Sequence, residues 1–208
     1  MLKVWGRNNS SNVQKVMWTV GEIGLPHERI DIGGPFGGTK EEPYLSKNPN
    51  SVVPTLEEDD GFILWESNSI VRYLAAKHSA GILEPADQRT RFSAQRWMDW
   101  QLSVTNAAIT PVFWGLVRTP PEKRDLKAID EAKAKCHDAM KIMDAQLGRT
   151  RFLAGDAFSY GDIPLGPFTY RYFRLVPDHA PLPNVERWYK EISSRPMFKQ
   201  HILDIPFT

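Results

Sequence analysis

The sequence predicts a two-part chain, a small layered α/β domain over residues 1–79 followed by an all-helical domain over residues 86–208. Strand-like and helical runs alternate through the first 78 residues. A linker-like stretch, Ser-Ala-Gly-Ile-Leu-Glu-Pro-Ala-Asp, covers 79–87, and almost everything after it carries helical spacing. A length of 208 residues suits two modest domains.

The elements follow in order. Leu2 to Trp5 is a short apolar-rich run stopped by Gly6, the pattern of a strand. Val13, Val16, Met17, Val20 and Ile23 recur at helical spacing and end at Gly24, a residue suited to the left-handed turn that closes a helix. His27 to Ile32 alternates as a second strand. The loop Gly33-Gly34-Pro35-Phe36-Gly37-Gly38 is too punctuated by glycine and proline for regular structure. Residues 53–56 and 62–65 form a hairpin around the acidic turn 57–61, and Ile70, Val71, Leu74 and Ala75 give one face of a helix ending near His78.

In the second half, Phe92, Trp97, Trp100, Val104 and Ala108 mark a long helix with a kink expected at Pro111. Ile129, Ala132, Cys136, Met140, Met143 and Leu147 form the stripe of another, which places Cys136 on a buried face as a small core residue. Phe158-Ser159-Tyr160-Gly161-Asp162-Ile163 reads as a helix start. Ser159 is expected to cap the Asp162 N–H, Asp162 to reach back to the Ser159 N–H, and Phe158 to pack on Ile163.

Composition narrows the function classes. With 26 basic and 25 acidic residues the net charge is +1, which offers no electrostatic footprint for nucleic acid. No run of about 18 apolar residues appears, so no membrane span is expected. The single cysteine excludes an internal disulfide and a multi-cysteine metal site, and no metal is expected; a cytoplasmic location follows as the default.

Four segments, in this order, resemble the cytosolic glutathione S-transferase family, in particular its bacterial serine-type, theta- or nu-like members. They are Ser10-Ser11-Asn12-Val13-Gln14-Lys15-Val16, Asn48-Pro49-Asn50-Ser51-Val52-Val53-Pro54-Thr55-Leu56, Trp65-Glu66-Ser67-Asn68-Ser69-Ile70-Val71-Arg72-Tyr73-Leu74, and Phe152-Leu153-Ala154-Gly155-Asp156 running into the helix start above. The resemblance spans essentially the whole chain. It implies a thioredoxin-like N-terminal domain binding glutathione, a helical C-terminal domain lining the pocket of a small apolar electrophile, and a homodimer.

The same resemblance assigns roles. Relatives activate the glutathione thiol with tyrosine, serine or cysteine near the end of the first strand; here Trp5 stands there, and the motif aligns Ser10 with the catalytic position, Ser11 and Asn12 remaining alternatives. A plain capping role for these residues is the competing account. Val53 and Pro54, joined by a cis peptide in relatives, would present the Val53 backbone to the cysteinyl unit. Ser67 would bind the γ-glutamyl carboxylate at a helix N-terminus, and Glu66 its ammonium. Relatives usually carry glycine and a basic residue where this chain has Ser51 and Val52, so Lys40 or Arg7 is the substitute contact for the glycyl carboxylate. Asn106, Phe113 and Trp114 are the candidates for the electrophile pocket.

Three functions remain open on this basis: transfer of glutathione to an electrophile, glutathione-dependent reduction of peroxides or disulfides (suggested by Asn12), and ligand binding without catalysis, suggested by Ser51 and Val52.

Overall fold

Strand β1 (Leu2–Trp5) lies inside a four-stranded sheet of order β2-β1-β3-β4 in the computed structural model, which describes residues 1–208. β1 runs parallel to β2 (His27–Ile30), with Leu2 opposite His27 and Trp5 opposite Ile30. Parallel neighbours need a crossover, and helix α1 (Ser11–Ile23) supplies it. On its other edge β1 pairs antiparallel with β3 (Thr55–Glu57), which turns back into β4 (Ile63–Trp65). The hairpin arm expected from residue 53 starts only at Thr55, because Pro54 has no N–H to give to a ladder. A single helical turn, α2 (Tyr44–Lys47), precedes β3, and helix α3 (Ser67–His78) follows β4 directly.

One core holds these elements. Val4, Val13, Val16, Val20, Leu56, Ile70 and Leu74 are each fully buried in it. Helix α1 stops where the sequence expects: Gly24 takes φ +75°, and its N–H closes onto the carbonyls of Val20 and Gly21.

Two compact units result, Met1–Glu84 with Arg195–Phe207, and Pro85–Ser194 with Thr208. The C-terminal segment therefore groups with the first unit, whereas the sequence reading assigned everything from 86 to 208 to the helical part. The reason lies on the outer side of α1. Arg195 grips the Glu22 carboxylate with two hydrogen bonds of 2.8 and 2.6 Å, and the Phe198 ring meets Trp18 edge-on at 4.9 Å.

In the second unit, α4 (Gln88–Trp100) and α5 (Asn106–Phe113) are joined by one wide π-type turn, Gln101–Thr105, and followed by another, Trp114–Arg118. Pro111 sits inside α5, so the irregularity expected at the proline is spread to both sides of it. Helix α6 (Leu126–Leu147) is capped by Asp125, which accepts from the Ala128 N–H at 3.0 Å, and it buries the whole stripe from Ile129 to Leu147. Burial pushes the Cys136 thiol up to about 12.

The helix start near Ser159 is realised with one change. The Ser159 N–H donates to Asp162 Oδ2 at 3.1 Å, as expected, but the Ser159 hydroxyl accepts from the Gly161 N–H at 3.2 Å and not from Asp162. The regular helix α7 begins only at Leu165. Asp162 also accepts from the Leu153 N–H (3.0 Å) and from Trp188 Nε1 (2.9 Å) on α8 (Pro183–Ser193). Burial raises this carboxyl to about 6 against the pull of those donors. Its contribution to stability is thus largest at low pH and is lost as pH rises through 6.

Two outcomes follow from this packing. Asp162→Ala strips its three N–H donors, and the Ser159 hydroxyl that donates to it at 3.4 Å, of their acceptor, and chemical denaturation is expected to show a loss of about 3–5 kcal/mol. Cys136 should resist a thiol reagent at pH 8 in the native protein and react fully once denaturant is added, because its raised pKa leaves almost no thiolate below about pH 10.

Candidate active site

The end of β1, the start of α1 and the segment before β3 meet at Gly6. Its φ is +153°, and a Cβ placed there would stand 2.5 Å from Val13 Cγ2 and 3.2 Å from Val53 Cβ. Only a glycine lets the helix start and the Val53 segment approach the same strand end. The Gly6 N–H is spent on the Ile30 carbonyl at 2.8 Å, which fixes the turn to β2.

Ser10 is the N-cap residue of α1, in extended conformation (φ −78°, ψ 123°) and 8% exposed. Its carbonyl accepts the first helical bond, from Gln14 at 2.8 Å. A capping serine ordinarily turns its hydroxyl back onto the N–H groups of the first turn, but Ser10 makes no such bond. The hydroxyl is left as a donor beside the helix mouth, where backbone N–H groups and the helix dipole favour negative charge. Ser11 and Asn12 are the first two helical residues, both half-buried. Trp5 holds its indole N–H on Glu57 at 2.8 Å, and Lys47, at 2.8 Å from the same carboxylate, draws it below the usual range.

The segment carrying Val53 is braced from below. Tyr44 donates to the Val52 carbonyl at 2.6 Å and shares a 2.9 Å bond with Thr55 Oγ1. Asn48 Nδ2 reaches the same two oxygens at 2.9 and 3.1 Å. All three side chains are buried. The Val53-Pro54 peptide is cis, as the resemblance implies. The β1–β3 pairing begins at Thr55, so the Val53 backbone stands outside the ladder. Ser51 sits at φ +56°, a left-handed conformation that glycine would adopt at no steric cost. Val52 is 54% exposed.

Helix α3 opens at Ser67, which is 4% exposed, preceded by Glu66 at φ +72°. A non-glycine residue held there is strained, and such residues gather at functional sites. Glu66 is exposed and makes no side-chain cap, so the first N–H groups of α3 have no side-chain acceptor from the N-cap. Beneath Ser67 lies Lys15, 1% exposed, whose ammonium donates to Ser67 Oγ and to Asn68 Oδ1, each at 3.2 Å. Sequence reasoning placed Lys15 in a motif but gave it no task; the nearest signal is a lysine inside the run Val13 to Val20, which the structure buries on every side.

Of the substitutes for a basic residue at 52, Lys40 is exposed on its loop, while Arg7 lies across the loop glycines, its Nη1 3.4 Å from where a Cβ of Gly33 would stand. Glycine at 33 and 34 is what gives that guanidinium room. In the helical unit the structure places Asn106 and Trp114 on the surface and Phe113 inside, its ring covered by the Arg171 guanidinium at 4.3 Å.

Comparison with known proteins bears on these residues. The glutathione S-transferase N-terminal domain family matches residues 9–77, and the glutathione S-transferase C-terminal domain family matches 105–196. Glutathione S-transferase GstB of Escherichia coli K12 is 41% identical over 204 residues, 98% of each chain. The theta class glutathione S-transferase of the citrus canker pathogen Xanthomonas axonopodis pv. citri, solved with glutathione bound, superposes with a TM-score of 0.94 at 39% identity, covering 100% of this chain and 99% of that one. Glutathione transferase F7 of Populus trichocarpa gives 0.85 at 30% identity, with 96% and 97% covered. No helix is long and apolar enough to cross a membrane.

Gly6→Ala tests the convergence. The added methyl meets a short β-branched side chain that cannot swing away, in a backbone conformation alanine disfavours. Thermal or chemical unfolding is expected to register a loss of about 1–3 kcal/mol.

Proposed function

The chain belongs to the glutathione S-transferase family, and on that premise we propose that it joins the thiol of glutathione to a small apolar electrophile, with Ser10 holding the sulfur as thiolate. The observation that carries this reading is the Ser10 hydroxyl, positioned as N-cap of α1 yet uncommitted to capping. A free cysteinyl thiol with a pKa of about 8.5 is only a few per cent thiolate at neutral pH. Lowering that value by about 2 takes ~2.7 kcal/mol of preference for the anion. A hydrogen bond to a charged acceptor supplies about 1.5–3 kcal/mol, and the α1 N-terminus adds about 0.3–1 kcal/mol. One hydroxyl and one helix end are therefore sufficient, and Ser11 and Asn12 in the first turn are the fallback donors.

Binding distributes over the same unit. The backbone at Val53, outside the sheet's ladder, pairs with the cysteinyl backbone as a short antiparallel strand. The γ-glutamyl carboxylate sits on the N–H and hydroxyl of Ser67 at the opening of α3, and Glu66 accepts from the adjoining ammonium. Lys40 meets the glycyl carboxylate, with Arg7 as the alternative cation. The thiol proton leaves to solvent. The sulfur lone pair then forms a C–S bond to the electrophilic carbon, and the leaving group departs with the electrons of the broken bond. Asn106, Phe113 and Trp114 are the helical unit's candidates for contact with the electrophile.

The protein works as a cytoplasmic homodimer in this reading. Phe62, Trp65, Phe92 and Ile142 are large apolar side chains left exposed in the single chain, surface that a second copy would cover.

Ser10→Ala is expected to raise the pKa of bound glutathione by about 1–2 and to lower turnover by about 10–100-fold. Glutathione affinity should change little, since the hydroxyl acts on the anion. Ultraviolet titration of the bound thiolate, with steady-state kinetics, measures both; an unaltered titration curve would transfer the role to Ser11 or Asn12.

A further inference from the structure

The C-terminal segment, a short helical turn at Pro196–Phe198 and a wider one at Lys199–Leu203, meets the outer side of α1 at Gly21. A Cβ on Gly21 would stand 2.7 Å from Met197 Sδ and 3.2 Å from His201 Nε2, so both side chains press on bare backbone. His201 is half-buried, and no hydrogen bond holds either of its ring nitrogens. Its place in the contact is set by packing, and packing favours the uncharged ring.

The cations facing His201 also disfavour a proton there. Strand alternation puts His27 and Arg29 on one face of β2 and Glu28 on the other, and the first two lie close enough to oppose charge on His201. Arg29 is itself held in place, by Asp31 and by the Gly6 carbonyl, to which it donates at 2.9 Å. On α1 the neighbouring carboxylate is Glu22, which Arg195 grips from the segment and to which Trp18 Nε1 donates at 2.8 Å. Within the segment, Lys199 and Asp204 close on each other at 2.5 Å. Asp31, Glu22 and Asp204 are thus each committed to another cation, and none is free to receive a histidinium.

Burial, then His27 and Arg29, hold the His201 imidazole below its ordinary value of about 6.5. Neutral His201 therefore supports the attachment above that value, and the support is lost as pH falls through the lowered one.

We propose that the C-terminal segment is an acid-sensitive latch on α1, in which a proton on His201, caught between Gly21 and the His27–Arg29 face, drives residues 195–207 off the helix. Release uncovers the outer side of the helix whose first turn carries Ser10, and the segment returns when the proton leaves. The latch does not depend on what the site binds.

Hydrogen exchange read by mass spectrometry on the full chain, corrected for the intrinsic pH dependence of amide exchange, tests this. Between about pH 7.5 and about pH 5, protection of residues 195–207 is expected to fall by about tenfold or more, while α6 in the other unit keeps its own. His201→Gln should hold the segment's protection within about twofold over the same range, and His201→Phe should do the same, deciding the case if the glutamine variant folds poorly. A fall of the same size in both variants, or no fall in the unaltered protein, would overturn the proposal. The unaltered protein supplies a second readout: in an NMR titration the His201 ring should take up its proton reversibly while the fold persists, at the same midpoint as the loss of protection. A ring that stays neutral until the whole chain unfolds would overturn the proposal as well.

Discussion

The missing side chain of Gly6 is the constraint on which the first unit's chemistry depends. It lets Val13 of α1 and Val53 of the cis-Pro segment press against the same turn of backbone. Ser10 follows one turn of chain later, and the Val53 backbone stands across from it. A helix N-terminus favours anions wherever it occurs. Bringing that terminus beside an unpaired strand edge turns a general preference into the place proposed for the thiol.

Around this point the protein uses buried polar groups in two ways. Tyr44, Asn48 and Thr55 form a satisfied network that holds the Val52 carbonyl, so the residue above it is rigid before any ligand arrives. Lys15 is buried as well, and its ammonium donates to Ser67 Oγ and Asn68 Oδ1 at the opening of α3. The first arrangement braces the segment before β3 and the second ties α1 to the start of α3. Strain at Glu66 and Ser51, both at positive φ, marks two segments held against their own preference, the ones proposed to flank glutathione.

Much of the fold was legible because local patterns encode which face of an element is buried. The stripe from Ile129 to Leu147, the stop at Gly24, and the strand–helix order of the first 78 residues are all short-range facts. Partnerships are a different matter. Lys15 and Ser67 are 52 positions apart, and Arg195 finds Glu22 across 173. No periodicity announces such pairs, which is why the C-terminal segment's place in the first unit and the contact of Lys15 with Ser67 emerge only in three dimensions. The Ser159 region shows the intermediate case: the residues of the capping box were readable, but the hydroxyl's actual partner, Gly161, depended on a turn that delays the helix to Leu165.

The account's central claim is that a neutral hydroxyl at the mouth of α1 holds the sulfur. A crystal structure of the protein with glutathione bound tests it most directly. The claim predicts the cysteinyl sulfur within hydrogen-bonding distance of Ser10 Oγ, with the peptide paired along Val53. A sulfur lying out of reach of residues 10 to 12, or turned toward the opening of α3, would contradict it.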